Sequence, residues 1–349
     1  MPDNQRSARA RGRRIGFWSA LFALSACVSL LGAEFSLRLL YDEVEVGGTY
    51  WGLGAFIPAE GVGYRHAPGF RGRALRPGVF DLHVTSNALG LRQEDFEAQN
   101  AHQRKVLLLG DSFLFGLGVA EKASFASLIA SQLNPDQIGV VNGGQSGYSI
   151  RQEVLWGTRL AAEIGPQAMI LCANLFNDVR DDYHGGFMQV EVVRGYRLYR
   201  DRRLPGFPMD LIRTHSFLLR FLSRPSLAQW FPRERRHGFE ARAQSDPRRV
   251  MEPTFAALED LLELSRSEGI ALGIVLIPPR SGTTRFDTPF VDWLATKQIP
   301  VLDLGESGFT EDDYFRGDGH WNERGHRKAA GFLGPFARAL LREKGLRGK

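Results

Sequence analysis

The chain has 349 residues, 43% hydrophobic and 24% charged, with a formal net charge of +5. Those proportions exclude a largely disordered chain and describe a globular protein with a real core. Much of the charge excess sits in a tail where Arg6, Arg9, Arg11, Arg13 and Arg14 face only Asp3, and the remainder is close to neutral. A basic array interleaved with aromatics is missing, which argues against nucleic-acid binding. Cys27 lies in an apolar run and Cys172 in an expected buried strand, so neither a disulfide between them nor a zinc site is expected.

Residues 15–33 carry no charge. About 19 apolar residues can cross the hydrocarbon core of a bilayer as a helix. The arginines of residues 1–14 form a basic tail that should stay in the cytoplasm and send the chain beyond residue 33 across the membrane. The expectation is a single-pass signal anchor in the inner membrane, with the remainder extracytoplasmic or periplasmic. Two other readings stay open. A cleaved signal peptide lacks a convincing A-x-A site. Leu24-Ser25-Ala26-Cys27 resembles a lipobox, which would lipidate Cys27, but the apolar run continues through Val28, Leu30 and Leu31.

Residues 34–104 read as a juxtamembrane helix to Asp42 and then a Gly/Pro-rich β appendage. Within it Phe80, Leu82 and Val84 alternate with Asp81, His83 and Thr85, the pattern of a half-buried strand. From residue 105 to about 345 the rhythm is strand and helix in turn. Strands are expected at 106–109, 139–142, 168–173, 271–277 and 300–304. Helical patterns fall at 125–133 and 154–164, and from Asn322 toward Glu343, with a break expected at Gly334-Pro335. Alternation of this kind implies a parallel sheet with helices on both faces, in three layers, and a five-stranded flavodoxin-like order. Residues 180–250 interrupt the rhythm and read as an insertion, with a Leu/Phe-rich helix near 211–222. It either shapes a site or merely covers apolar surface.

In an open α/β sheet, ligands bind outside the carboxyl ends of the strands. Those ends carry Gly110-Asp111-Ser112, then Asn142-Gly143-Gly144-Gln145-Ser146-Gly147, then Asn174-Leu175-Phe176-Asn177-Asp178, and finally Asp318-Gly319-His320 before the last helix. A serine hydroxyl needs an imidazole to take its proton, and the imidazole needs a carboxylate to hold its tautomer. A tetrahedral oxyanion needs aimed N–H donors, each worth ~2.7–4 kcal/mol of barrier. The expected catalytic residues are therefore Ser112, His320 and Asp318. The expected oxyanion donors are the Ser112 and Gly147 amides and the Asn177 side chain.

In these four blocks, in this order, the sequence resembles the SGNH (GDSL-type) hydrolase family. Gly110-Asp111-Ser112 with Gly116 and Gly118 is similar to the first block, Gly147 to the second, Asn177-Asp178 to the third, and His320 with Asn322 and Gly325-His326 to the last. The resemblance implies the three-layer fold and an acyl-enzyme on Ser112 without cofactor or metal. Its substrate would be an ester-bearing small molecule or polysaccharide, O-acetylated carbohydrate first. A lipase, a thioesterase or a polysaccharide O-acetyltransferase would use the same residues, and a non-catalytic glycan-binding or assembly protein would keep only the fold.

The carboxylate spacing departs from the family. Its Asp usually stands three residues before the His, where this chain has Gly317. Asp318 stands two before, an arrangement similar to that of alginate-type polysaccharide acetyltransferases, and Asp312 and Asp313 are alternatives. Ser146 lacks the second glycine of a nucleophile elbow. His320 and His326 lack further metal ligands. Asn87-Ala88-Leu89-Gly90-Leu91-Arg92 resembles a segment of some anchored relatives and reads as a structural turn.

Overall fold

The computed structural model describes residues 3–40, 43–46, 49–185, 190–193, 196–199, 216–218, 236–280, 282 and 284–347. The chain divides into two compact units, Met1–Glu43 with Arg203–Phe231, and Val44–Arg202 with Pro232–Lys349.

In the first unit the helix α1 spans Asp3–Leu40. Its stretch Arg14–Leu40 is long and apolar enough to cross a membrane by length and composition. Near its end Glu34 accepts the Phe217 N–H at 3.0 Å, the Leu218 N–H at 2.9 Å and the Ser216 hydroxyl at 2.9 Å. Residues 217–218 are helical and Ser216 is not, and the other residues of the Leu/Phe-rich helix expected at 211–222 lie outside the described residues.

The second unit is built on a five-stranded parallel sheet. Short strands precede it: β1 (Glu43–Val46), β2 (Thr49–Gly52), β3 (Phe56–Ala59), β4 (Gly63–His66), β5 (Arg71–Arg76) and β6 (Phe80–Thr85). They form an antiparallel β3–β4 pair and a sheet ordered β1-β2-β5-β6. The alternation read at 80–85 appears as β6, with Phe80 and Val84 buried and Asp81 and His83 exposed. The main sheet comprises β7 (Arg104–Gly110), β8 (Ile138–Asn142), β9 (Ala168–Ala173), β12 (Ala271–Leu276) and β13 (Val301–Asp303), in the order β13-β12-β9-β7-β8. Counted along the chain this is 2-1-3-4-5, the flavodoxin-like order. Between β9 and β12 a hairpin of β10 (Val190–Val193) and β11 (Tyr196–Tyr199) lies within the expected insertion.

Both faces of this sheet are covered, and the side chains divide by parity. Leu107 and Leu109 of β7, and Met169 and Leu171 of β9, enter one buried cluster with α5 (Ile150–Ile164) and α9 (Glu252–Ser267). Val106 and Leu108, with Ala168, Ile170 and Cys172, enter the other, with α4 (Phe125–Leu133) and α11 (Glu323–Arg347). Continuous apolar runs are the signature of strands buried on both faces. Trp51, Phe56 and Tyr64 of the small sheets belong to the first of these clusters, so they share a core with the α/β layers. Cys27 and Cys172 are unpaired.

The last helix differs from expectation. It runs unbroken from Glu323 to Arg347 with Pro335 inside it. Proline disfavours helical dihedrals in the residue before it chiefly through that residue's Cβ, and here that residue is Gly334. Burial of Leu333, Ala337 and Leu340 on one face offsets the lost hydrogen bond.

Candidate active site

Strand β7 ends at Gly110, where a Cβ would lie 2.9 Å from Leu114 Cβ and 3.2 Å from Cys172 Cβ. Only glycine lets the chain fold back at that point. The four-residue helix α3 (Ser112–Phe115) comes next, capped by the Asp111 carboxylate, which accepts the Phe113 N–H at 2.8 Å. Gly116, at φ 77°, ends it in the left-handed region. The second Asp111 oxygen accepts the Asn174 side-chain amide at 3.0 Å and so joins the ends of β7 and β9. Burial pushes the Asp111 carboxyl up, against the Asn174 and Phe113 hydrogen bonds.

Residues 313–322 form a small hairpin that presents His320. Tyr314 bridges Trp321, Phe315 N–H donates to His320 O at 3.0 Å, and Asn322 N–H donates to Asp313 O at 3.0 Å. Trp321 is fully buried, edge-on to Phe113 at 5.0 Å, which seats this hairpin against α3. Inside the hairpin Asp318 Oδ1 accepts the His320 backbone N–H at 2.8 Å, a local side-chain-to-backbone turn. The same oxygen lies 2.5 Å from His320 Nδ1. The turn explains why a spacing of two suffices, since it folds the ring of the second residue back over the carboxylate. Gly317, three residues before His320, adopts φ 78°.

Ser112 Oγ lies 2.7 Å from His320 Nε2. Asp318 is buried, which alone would raise its carboxyl. The His320 ring and backbone hydrogen bonds and the Arg76 charge outweigh burial and hold it at about 2. The carboxylate is then ionised at neutral pH and can only accept, so Nδ1 carries the proton and Nε2 is left to accept from the serine hydroxyl. Ser112, His320 and Asp318 are therefore brought together in one hydrogen-bonded chain. Asp312 and Asp313 are not part of it. Asp313 is buried and engaged by the Thr310 N–H and Lys328, and the Asp312 carboxylate is solvent-exposed near Arg324.

Gly147 sits in the turn after β8 at φ 78°, and Asn177 in the first turn of α6 (Leu175–Tyr183) after β9. Both stand at the sheet edge that carries Ser112. Asn174, not Asn177, occupies the N-cap position of α6. Gly144 lets the β8 turn press on α3, since a Cβ there would lie 2.6 Å from the Phe115 backbone nitrogen.

Three features of this region are not evident from the sequence alone. Arg92, in the segment expected to be a structural turn, is buried and donates to the carbonyls of Phe115, Gly116 and Val119 at 3.2, 2.5 and 2.7 Å. It clamps the loop behind the serine, and burial pulls its guanidinium down to about 10. His326 is buried and accepts the Phe125 N–H at 3.2 Å through Nδ1. Burial, with the Arg92 and His320 charges, takes it down to about 3, so it is a neutral structural histidine. Glu153 on α5 and Asp178 on α6 are buried together, and burial plus the charges of Asp111 and Asp182 pushes both well above the usual carboxylate range. Among the described residues no group of three or more His, Cys, Asp or Glu side chains is placed to hold a metal ion.

A search against family models finds no match for the chain. A sequence search of curated proteins also finds none. Solved structures similar to it include TesA, at 14% identity and a TM-score of 0.43, covering 68% of this chain and 99% of that one. A family 3 carbohydrate esterase from Clostridium thermocellum is similar at 14% identity and 0.41, covering 69% and 98%. The esterase EstA from Pseudoalteromonas sp. is similar at 13% identity and 0.35, covering 70% and 98%. At these values the likeness says nothing of chemistry or substrate, which rest on the residues themselves.

Proposed function

We propose that this protein is a serine hydrolase of the SGNH type that cleaves carboxylic esters through an acyl-enzyme on Ser112. The observation that carries the reading is the unbroken chain Ser112 Oγ–His320–Asp318, at 2.7 and 2.5 Å. His320 takes the hydroxyl proton as the oxygen attacks, and Asp318 stabilises the imidazolium that forms. The Ser112 and Gly147 amides and the Asn177 side chain receive the oxyanion, and His320 returns the proton to the leaving alcohol. Water then repeats the cycle on the acyl-enzyme and restores the serine.

The substrate we infer is an O-acyl, chiefly O-acetyl, ester of an extracytoplasmic carbohydrate. Support comes from the apolar stretch Arg14–Leu40 of α1 and the arginines in the N-terminal part of the same helix, which favour an inner-membrane anchor with the second unit outside. The test is labelling of the detergent-solubilised full chain by a fluorophosphonate probe, with release of acetate from acetylated xylan measured alongside. Wild type should label and release acetate, and Ser112→Ala should do neither. A wild-type chain that takes up no probe ends the hydrolase reading and leaves a binding or assembly role. Labelling without acetate release ends only the choice of substrate.

A further inference from the structure

The Asp318 carboxylate is shared between two parts of the fold. Its Oδ1 serves His320 twice. Its Oδ2 lies 2.8 Å from Arg76 Nη1, and the Asp318 side chain is 1% exposed. Arg76 is the last residue of β5, in the small antiparallel sheet, and belongs to no element of the parallel one. Its cross-strand partner in β6 is Phe80. The Phe80 ring meets Phe315, in the 313–322 hairpin, with centroids 5.9 Å apart. The tight turn between β5 and β6 closes with the Val79 N–H donating to Arg76 O at 2.9 Å, with Gly78 at φ 73°. The tip of β5–β6 therefore touches the base-bearing hairpin twice, once through an apolar ring pair and once through an ion pair.

We propose that Arg76 is a positioning residue of the Ser112–His320–Asp318 chain, and that the β5–β6 hairpin is a built part of the active site. A carboxylate this deeply buried with one oxygen unpaired either turns about its Cβ–Cγ bond or takes up a proton. In both cases His320 Nδ1 loses its fixed acceptor, and the ring can present the wrong tautomer to Ser112. The Arg76 charge, 2.8 Å from Oδ2 as an ion pair without an aligned hydrogen bond, opposes both. Asp111, the other carboxyl whose charge reaches His320, makes no hydrogen bond to its ring and instead accepts from Phe113 and Asn174. In this proposal Arg76 acts through Asp318, whose Oδ2 it faces at 2.8 Å.

The kinetic arm rests on the proposed hydrolase function, and a spectroscopic arm does not. With p-nitrophenyl acetate and the solubilised full chain, Arg76→Gln and the similarly long Arg76→Met should each lower kcat on the order of 100-fold while KM holds. Arg76→Lys, which keeps the charge, should recover most of that loss. In an Asp318→Asn background Arg76→Gln should add little, because the two act as one unit. In parallel, the far-downfield proton NMR signal of the His320 Nδ1 proton should be present in wild type and Arg76→Lys and absent in Arg76→Gln. An unchanged kcat in Arg76→Gln, a full further loss on Asp318→Asn, or an unchanged Nδ1 signal each overturns the proposal. If wild type turns over no ester but Arg76→Gln still abolishes the signal, the hydrolase reading fails and the role of Arg76 stands.

Discussion

At the scale of single residues, two histidines six positions apart have opposite tasks because of what surrounds them. His320 is partly exposed and faces Ser112 and Asp318. His326 is buried between Phe125 and Trp321, with its Nδ1 used as an acceptor. With a folded value of about 3 against an ordinary 6.5, His326 stays neutral where the unfolded chain would protonate. Its contribution to stability is complete above pH 6.5 and is lost as pH falls toward 3, at up to about 1.4 kcal/mol per pH unit. His326→Asn should therefore be less stable than wild type at pH 7 but lose less between pH 7 and pH 5. Urea unfolding midpoints at the two pH values measure this, and equal slopes for both proteins would contradict it. Both histidines stand in the last block of the chain, and only their surroundings tell the proposed base from the structural ring.

At the scale of elements, Ser112, the proposed nucleophile, is held by turns more than by α3, which is a single turn of helix. The β8 turn lies against it at Gly144, and Arg92 ties down the loop behind it. A methyl group at Gly144 would sit 2.6 Å from the Phe115 nitrogen and 2.9 Å from the Leu114 carbonyl carbon. Backbone cannot give way as a flexible side chain does. Gly144→Ala should cost about 1–3 kcal/mol of stability and should also slow probe labelling at Ser112, because α3 has to move. Thermal unfolding and labelling rate, measured on one preparation, check both effects, and a variant that melts like wild type and labels at the same rate would refute the packing argument. Strands are more legible in the sequence than their connections. The apolar runs at 106–109 and 168–173 mark β7 and β9 because each is buried on both faces. The break expected in α11 at Pro335 is absent because a local rule meets a glycine on one side and a buried helix face on the other.

At the scale of the molecule, the apolar stretch Arg14–Leu40 would rise roughly 40 Å as a helix, more than the ~30 Å hydrocarbon core needs. The full chain should remain in the membrane fraction through high salt and alkaline carbonate, and removal of residues 1–40 should release a soluble, probe-reactive protein. Extraction of the full chain by salt alone would speak against a spanning anchor. Protease added outside spheroplasts should cut beyond residue 43, and full protection there would reverse the proposed orientation.

By itself the chain determined the apolar N-terminal stretch, the alternation of strand and helix, and the four blocks that carry Ser112, Gly147, Asn177 and His320. Each of these is a local pattern, and hydrophobic period and motif spacing are local quantities. The sequence favoured Asp318 by its D-x-H spacing and left Asp312 and Asp313 as alternatives, and the fold of the 313–322 hairpin brings Asp318 alone of the three to the His320 ring. The tertiary structure alone brought Arg76 to Asp318, since no spacing rule links a strand end in the small antiparallel sheet to a loop beyond β13. Burial also lowered the pKa of His326 and raised those of Glu153 and Asp178, because the free energy of ionising a side chain depends on the atoms packed around it.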